Sequence, residues 1–236
     1  MNIKAVLFDL DGTLLPMDQD VFLKTYLGAL AHKLAPMGYD PKLLVDAIWQ
    51  GTGAMIKNVG DSTNEKAFWK EFCAVFGDKA LNDISVFDDF YHNEFQSVRD
   101  ICGFDASAAD IIRYLKTKEV RVALATNPIF PLIATESRVR WAGLEVDDFE
   151  LCTTYENSVH SKPNPEYYRD ILREMNIEPS EALMVGNDVS DDMVAKNIGM
   201  KVFLLTDCLI NRTNQDISKY PQGSFEQLKS YINSIN

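Results

Sequence analysis

The sequence feature that most constrains the fold is a short apolar run near the N-terminus that ends in two acids. Residues 5–8 (Ala-Val-Leu-Phe) carry no polar side chain, and Asp9-Leu-Asp11-Gly-Thr follows directly. An uninterrupted apolar run of this length is typical of a strand buried on both faces of a parallel sheet. Because side chains alternate along an extended segment, we expect Asp9 and Asp11 to project to the same side. The sequence therefore predicts two carboxylates at the carboxyl end of a central strand, where open α/β sheets bind ligands.

The segment from residue 16 to residue 96 is predicted to be helical. Apolar side chains recur at three- and four-residue spacing from Phe22 to Leu34, and further stretches before residue 96 show the same spacing. We interpret them as about four helices that form a small all-α module. Its aromatic residues are expected to form a core rather than a ligand-binding surface. Residues 16–96 would then be a helical cap inserted into a main domain made of residues 1–15 and 97–236.

From residue 101 onwards, helical and strand patterns alternate. Strands are predicted at residues 120–125, 149–153, 182–185 and 201–205, and helices at residues 106–118, 131–141, 165–175, 191–198 and 225–235. This succession is typical of a parallel sheet with right-handed crossovers. The predicted fold is a doubly wound, Rossmann-like α/β core that carries the inserted α-helical cap.

Composition narrows the classes of function. The chain has 236 residues and a formal net charge of −12, which argues against nucleic acid or an anionic membrane as a partner. Its four cysteines form no C-x-x-C pair, so we expect free thiols in a reducing compartment. No signal peptide and no stretch of membrane-spanning length is recognisable. We therefore expect a cytoplasmic protein with a small-molecule partner, while the oligomeric state is unknown.

Two further strand ends carry groups suited to phosphate. Thr126 and Asn127 follow the predicted strand 120–125, and a hydroxyl and an amide donate hydrogen bonds without adding charge. Lys162 precedes the helix predicted at residues 165–175 and lies in the sequence Lys-Pro-Asn-Pro. The two prolines stiffen this loop, so we expect the lysine to be held in place rather than to be a mobile surface charge.

The fourth strand end is strongly acidic. A run of acidic and amide side chains follows the predicted strand 182–185: Asn187, Asp188, Asp191 and Asp192. Acids in a first helical turn complement the helix dipole, but this run holds more such groups than capping requires. Together with Asp9 and Asp11 they would repel one another, and a hard divalent cation with oxygen ligands would relieve that repulsion.

In type and order, these four segments resemble the motifs of the haloacid dehalogenase-like (HAD) superfamily. The resemblance spans most of the predicted core, and the insertion is similar to the C1-type caps of the family in its placement and all-α character. Much of the family has Gly-Asp where this chain has Gly186-Asn187. The resemblance therefore favours Asp188 as the metal ligand of this segment, with the side-chain oxygen of Asn187 as the alternative.

The resemblance and the chemistry of the residues both indicate a Mg²⁺-dependent phosphomonoester hydrolase for a small phosphorylated metabolite. Asp9 would be the nucleophile and would form an aspartyl-phosphate. Asp11 would protonate the departing alkoxide and later deprotonate the attacking water. Mg²⁺ would be bound by Asp9, by the backbone carbonyl of Asp11 and by Asp188 or Asn187.

The remaining predicted site residues bind the phosphate or support those that do. Thr126, Asn127 and Lys162 would bind phosphate, and Thr126 and Lys162 would also count among the catalytic residues. Asp192, and with it Asp191, would orient Lys162 or a water molecule on the metal.

Other functions stay open at this point. Dehalogenation is disfavoured, because a halide leaves without a proton and the second acid would have no task. A phosphosugar mutase could use the same core, as could a phosphonate hydrolase with Lys57 or Lys66 as a Schiff-base lysine. A non-catalytic phosphometabolite-binding protein is a hypothesis of a different class. Candidates for substrate contacts from the cap are Met17, Asp18 and residues 55–58.

Overall fold

The structure, a computed structural model, describes residues 3–235 and has a parallel sheet at its centre. The strands are β1 (Ala5–Phe8), β2 (Arg121–Leu124), β3 (Leu151–Cys152), β4 (Ala182–Gly186), β5 (Lys201–Leu205) and β6 (Gln222–Gly223). Their order is β3-β2-β1-β4-β5-β6, and every neighbouring pair is parallel. The strand order reverses beside β1, so the crevice at its carboxyl end is the expected ligand site.

The register of the central strands aligns their carboxyl ends. Phe8 pairs with Leu124 on one side and with Val185 on the other. Beyond β1, the backbone N–H of Asp9 donates to the carbonyl of Val185 at 2.9 Å, and Ala125 N–H donates to the carbonyl of Phe8 at 2.7 Å. All four side chains of β1 are fully buried, as the apolar run predicts. The residues that follow β1, β2 and β4 therefore meet at one edge of the sheet.

Helices cover both faces of the sheet and form the insertion. They are α1 (Gln19–Leu34), α2 (Pro41–Ile56), α3 (Asn64–Phe76), α4 (Ile84–His92), α5 (Ala106–Thr117), α6 (Leu132–Trp141), α7 (Pro165–Met175) and α8 (Phe225–Ile235). The helices α1 to α4 follow β1 and agree with the predicted all-α module. The domain boundaries between cap and core, predicted after residues 15 and 96, stay predictions. A 3-10 helix, Glu94–Ile101, includes the boundary at residue 96.

Side chains in the loops determine where the first three helices begin. The carboxylate of Asp18 accepts hydrogen bonds from the backbone of the first turn of α1, and Asp40 accepts one from Leu43 N–H in α2. Thr63 caps α3 in the same way. Such N-caps satisfy backbone donors that have no partner within the helix. Across residues 3–235, none of the helices is both long and apolar enough to span a membrane.

The apolar core lies on both faces of the sheet and continues into the cap. Val6 and Phe8 of β1 pack in one cluster with α5 and α8, whereas Ala5 and Leu7 pack in a second cluster with α7. The first cluster also includes Phe22 and the aromatic residues of the cap helices. The cap and one face of the sheet therefore share a continuous hydrophobic core.

One predicted element differs from the structure, and one strand of the structure was not predicted. The helix predicted at residues 191–198 is a 3-10 helix, Met193–Ile198. It starts late because the carboxylate of Asp188 accepts hydrogen bonds from the backbone of Ser190 and Asp191, which holds a turn there. The short strand β6 was not predicted, since its two residues lack any apolar pattern, and it forms through backbone pairing with β5.

One buried amide connects the cap to the core. Asn64 is fully buried at the start of α3, and its Nδ2 donates to the carbonyl of Pro128 at 3.1 Å and to Ser161 Oγ at 3.0 Å. Its backbone N–H donates to the carbonyl of Ser158 at 2.8 Å. Ser161 in turn donates from Oγ to the carbonyl of Met55 in α2. The cap is thus hydrogen-bonded to the two core segments that precede α6 and α7.

We expect Asn64→Ala to weaken this connection. The substitution leaves buried polar groups of the core without their partner, so the free energy of unfolding should fall by about 2 kcal/mol. Asn93→Ala is the control, because Asn93 is exposed and its side chain bonds only within the end of α4. Chemical denaturation of both variants measures the difference, and equal effects would show that the Asn64 contacts do not stabilise the cap.

Candidate active site

One cavity at the carboxyl ends of β1 and β4 contains every residue that the sequence predicts to take part in chemistry. It has a volume of about 130 Å³. The predicted side chains that line it are Asp9, Asp11, Thr126, Asn127, Lys162, Asn187, Asp188, Asp191 and Asp192. Residues from three separate loops and from the end of β1 therefore face one small volume. We call this volume the catalytic cavity.

Lys162 is the central cation of the catalytic cavity. Its side chain is almost completely buried, and Nζ donates to Asp9 Oδ1 at 2.8 Å and to Asp192 Oδ1 at 2.6 Å. Its backbone N–H also donates to Asn127 Oδ1 at 3.2 Å. Burial alone would lower the pKa of the Lys162 ammonium, but the carboxylates of Asp192 and Asp9 outweigh burial and raise that pKa well above its usual value. The lysine is therefore a fixed positive charge.

Asp192 holds Lys162 from the side opposite to Asp9. The Asp192 carboxyl is 1% exposed, and its Oδ2 accepts a hydrogen bond from Asp188 N–H at 2.9 Å. Burial raises the pKa of the Asp192 carboxyl, and the Lys162 ammonium opposes this rise. A Cβ atom at residue 186 would overlap the Asp192 carboxylate, so glycine at the end of β4 is what lets Asp192 approach. Asp192 thus contacts the lysine that it is predicted to orient, and the role itself stays a prediction.

Asn187 has a structural position between two loops. Thr13 Oγ1 lies 3.0 Å from Asn187 Oδ1 and 3.2 Å from Asp9 Oδ2, and Asn187 Nδ2 donates to the carbonyl of Cys208 at 2.6 Å. Gly12 has a φ of +82°, and a Cβ atom there would overlap the Asn187 amide. The side chain of Asn187 is therefore held on both sides by protein contacts.

Asp188 has more freedom to bind a ligand than Asn187. Its Oδ1 accepts hydrogen bonds from Ser190 N–H at 2.7 Å and Asp191 N–H at 3.0 Å. Within residues 3–235, no hydrogen bond or ion pair uses Asp188 Oδ2. The neighbouring Asp191 is mostly buried, and burial together with the charge of Asp188 raises its pKa to about 6. One carboxylate oxygen at the edge of the catalytic cavity is thus available for a cation.

The structure also shows a residue that the sequence analysis missed. Arg138 of α6 is fully buried and forms an ion pair with Asp11 Oδ2 through Nη1. The guanidinium also packs 4.3 Å from the ring centre of Phe130, and Nε donates to the carbonyl of Ala134. Burial raises the pKa of the Asp11 carboxyl, Arg138 opposes the rise and Asp9 adds to it. Arg138 therefore determines where one oxygen of Asp11 lies.

A sequence signal for Arg138 exists in hindsight. Ala134, Arg138 and Trp141 are spaced four and three residues apart, so they share one face of α6. Ala134 and Trp141 are buried, and an arginine on such a face must be paired with an acid. The pattern indicates a buried ion pair, but it does not identify a partner 127 residues away in the sequence.

The predicted cap contacts are only partly found at the catalytic cavity. Met17 lines it, together with residues of α1. Asp18 instead caps α1, and Met55 is buried with its carbonyl bonded to Ser161. Lys57 and Lys66 are exposed and do not line the cavity, where Lys162 is the one basic residue among the described residues. This removes the support for a Schiff-base lysine from the cap.

The oxygen donors of the catalytic cavity are chemically suited to magnesium. Among residues 3–235, no three His, Cys, Asp or Glu side chains converge closely enough to hold a metal by themselves. The available donors are the carboxylates of Asp9 and Asp188, the backbone carbonyl of Asp11 and the amide of Asn187. Mg²⁺ keeps several water ligands and is commonly bound by one or two carboxylates together with substrate phosphate. The donor set therefore fits this ion.

Comparison with known families identifies the fold and the class of enzyme. The sequence profile described as "Hydrolase: haloacid dehalogenase-like hydrolase" matches residues 3–199. The chain belongs to the haloacid dehalogenase-like hydrolases. This confirms the predicted superfamily, the predicted Rossmann-like core with its helical insertion, and the prediction of an enzyme.

Relatives of the haloacid dehalogenase-like hydrolase family match almost the whole chain. The pyrophosphatase PpaX of Bacillus velezensis is 24% identical over 200 residues, which cover 85% of this chain and 82% of that protein. The 2-haloacid dehalogenase from Pseudomonas syringae pv. Tomato DC3000 superposes with a TM-score of 0.65 at 21% identity, covering 98% and 99% of the two chains. The HAD phosphatase from Thermococcus onnurineus gives 0.59 at 20% identity, with 98% of each chain covered. At these identities the superpositions show a common fold.

We expect Arg138→Met to destabilise the protein. Methionine keeps much of the packing but leaves the partly buried Asp11 carboxylate without its counter-charge. Loss of one partner of a buried ion pair lowers the free energy of unfolding by about 3 kcal/mol. Arg140→Met on the same helix is the control, because Arg140 is largely exposed and its removal should change stability by about 0.5 kcal/mol or less. Denaturant titrations measure both variants, and the same free energy of unfolding for the two would show that the ion pair between Arg138 and Asp11 does not stabilise the protein.

Proposed function

We propose that this protein is a Mg²⁺-dependent phosphomonoester hydrolase that works through an aspartyl-phosphate on Asp9. The observation that carries the proposal is the position of Asp9, which shares one cavity with Asp11 and is hydrogen-bonded to the buried Lys162. A nucleophilic carboxylate, an acid–base group and a fixed cation are the parts that phosphoryl transfer through an aspartyl-phosphate uses. Solved relatives named as phosphatases and curated relatives named as pyrophosphatases support transfer to water.

In the first step, the Asp9 carboxylate attacks the phosphorus atom of the substrate. Lys162, the Thr126 hydroxyl and the Asn127 amide bind phosphate oxygens and align the phosphorus with Asp9. The bond from phosphorus to the alcohol oxygen breaks as the new bond forms. Asp11 then donates its proton to the departing alkoxide, a contribution of about 10²- to 10⁴-fold to the rate.

In the second step, water hydrolyses the aspartyl-phosphate. Asp11, now ionised, takes a proton from the attacking water, and inorganic phosphate leaves as Asp9 is regenerated. Arg138 Nη1 is bonded to Asp11 Oδ2, and this contact holds the carboxyl group in place whether or not its other oxygen carries a proton. The hydroxyl of Tyr168 donates to the backbone carbonyl of Asp191 at 2.6 Å, which steadies the loop that carries Asp192.

Mg²⁺ would be held by Asp9, the backbone carbonyl of Asp11 and Asp188. When bound, it neutralises the charge of the phosphoryl group. Asp188 is the better candidate from its segment, because its Oδ2 is available whereas Asn187 Oδ1 lies within hydrogen-bond distance of Thr13.

The position of Asp11 beside Asp9 in the same cavity also favours phosphoester hydrolysis over dehalogenation, because a halide leaves without needing a proton and would give this acid no task. The fold likeness to a 2-haloacid dehalogenase does not bear on this choice, since it reflects the architecture alone. A mutase would return the phosphoryl group to an organic product, so the release of free phosphate distinguishes it from a hydrolase.

We expect Asp9→Asn to abolish phosphate release. An amide is a far poorer nucleophile than a carboxylate, so the rate with p-nitrophenyl phosphate and Mg²⁺ should fall by about 10³-fold or more. Asp46→Asn serves as the matched control, since Asp46 is exposed on α2 and lies outside the catalytic cavity. Asp9→Asn removes one of the two counter-charges of the buried Lys162, so it should unfold at a lower temperature than Asp46→Asn but remain folded at the assay temperature. Asp9→Asn protein with near wild-type turnover would remove Asp9 from its proposed role.

We further expect Asp188→Ala to raise the Mg²⁺ concentration needed for half-maximal activity by about tenfold or more. The exposed Asp207 provides the control variant, Asp207→Ala, which should leave the requirement unchanged. Magnesium titrations of phosphate release measure both. If Asn187→Ala raised the requirement and Asp188→Ala did not, Asn187 would be the ligand instead.

A further inference from the structure

A second cavity adjoins the catalytic one. It has a volume of about 170 Å³ and is lined by side chains of α1 to α4 together with residues 129–131 and Tyr155 of the core. It opens to solvent where the exposed residues Trp49, Ile56 and Asp88 line it. We call it the cap chamber. Its lining is almost entirely apolar and aromatic. An engineered protein cavity of roughly 150 Å³ with a similar lining accommodates benzene, so the cap chamber has room for a group of that size.

The cap chamber and the catalytic cavity share part of their walls. Leu23 of α1 and Ile129 and Phe130 of the core line both. Ile129 follows Thr126 and Asn127 by only a few residues, and these two are the proposed phosphate ligands. A substrate whose phosphate lies beside Lys162 would therefore have the cap chamber as its neighbouring space.

Packing of the cap helices does not by itself require a cavity of this size. Protein interiors are close-packed, and voids larger than a water molecule are few. The hydroxyls of Tyr26 and Tyr91 lie 2.9 Å apart and hydrogen-bond to each other, so they do not require a polar partner from a ligand. The chamber thus presents mostly apolar surface in which the Tyr26 and Tyr91 hydroxyls are satisfied, while the buried Trp69 Nε1 has no hydrogen-bond partner among the described residues.

The charges around the two cavities disfavour a second anionic group on the substrate. Among the described residues that line the cap chamber there is no Lys or Arg, and one carboxylate, Asp88. In the catalytic cavity, Lys162 is already bonded to Asp9 and Asp192. A carboxylate or second phosphate in the chamber would share it with Asp88, and the guanidinium next to the chamber, Arg138 on the Phe130 ring, is already paired with Asp11.

We propose that the substrate is a phosphomonoester of an uncharged alcohol that carries an apolar group about the size of a benzene ring, and that the cap chamber binds this group. The inference rests on the proposed phosphomonoesterase activity and specifies its substrate class. It separates this chain from relatives named for pyrophosphate, in which the leaving group is itself an anion.

The first test compares the hydrolysis of phosphate compounds whose leaving groups differ: two are uncharged alcohols and two carry a negative charge. With Mg²⁺, wild-type protein should hydrolyse 2-phenylethyl phosphate with a kcat/KM at least tenfold above that for ethyl phosphate. Phosphoglycolate and pyrophosphate should be no better than ethyl phosphate. Equal values for the two alkyl esters, or a preference for either of the anionic compounds, would overturn the inference and leave the phosphatase activity intact. Release of phosphate from none of them would count against the proposed function itself.

Binding of non-hydrolysable phosphonates tests the chamber without turnover. In calorimetric titrations with Mg²⁺ present, benzylphosphonate should bind wild-type protein at least tenfold more tightly than methylphosphonate. Equal affinities would overturn the inference even if the enzyme hydrolysed many phosphate esters.

A variant that fills the chamber locates the apolar group. Thr52 of α2 lines the cap chamber, and Thr52→Trp should reduce the preference for 2-phenylethyl over ethyl phosphate at least fivefold. Leu43→Trp is the matched control, because Leu43 lies on the exposed side of the same helix and the preference should persist. An undiminished preference in Thr52→Trp would show that the apolar group binds elsewhere. If Thr52→Trp does not fold, the phosphonate affinities of the wild type decide.

Discussion

The structure of the site depends on one buried cation held between two carboxylates. Lys162 lies between Asp9 and Asp192 with almost no exposure to solvent, and each of the three would be costly to bury alone. The glycine at residue 186 follows from this arrangement, because any larger residue would displace the Asp192 carboxylate. The end of β1, the Lys162 loop and the acidic turn must therefore come together as a unit. The proposed nucleophile owes its position to this electrostatic requirement as much as to the strand that carries it.

Much of this arrangement could be predicted from local sequence, because parallel strands bring their carboxyl ends to one edge. The apolar run before Asp9 predicts a buried strand, and topology then places Thr126, Lys162 and the acidic turn beside it. Arg138 was missed because its contact with Asp11 depends on how α6 packs, which local pattern does not specify. The two-residue strand β6 was missed because backbone pairing with β5, not side-chain pattern, defines it.

The cap illustrates a different limit. Its aromatic residues were expected to form a core, and the spacing of Phe22, Tyr26 and Leu30 does place them in the shared hydrophobic cluster. The same helices leave the cap chamber between them. Periodicity identifies which face of a helix is apolar, but whether facing side chains meet or leave a space depends on their sizes and on the angles between helices. The sequence thus predicts which reactive residues follow the strands, whereas the space between the cap helices is found only in the three-dimensional structure.

The hydrogen bonds of Asn64 connect the cap directly to the candidate active site. Asn64 donates to the carbonyl of Pro128, which directly follows Asn127. It also donates to the hydroxyl of Ser161, which directly precedes Lys162. The cap is therefore anchored to the backbone that carries the proposed phosphate-binding groups. A cap without an amide at this place would lack the hydrogen bonds to the two loops that carry the proposed phosphate-binding residues. In this chain, a change at Asn64 of the cap would therefore also affect the loops of the candidate active site.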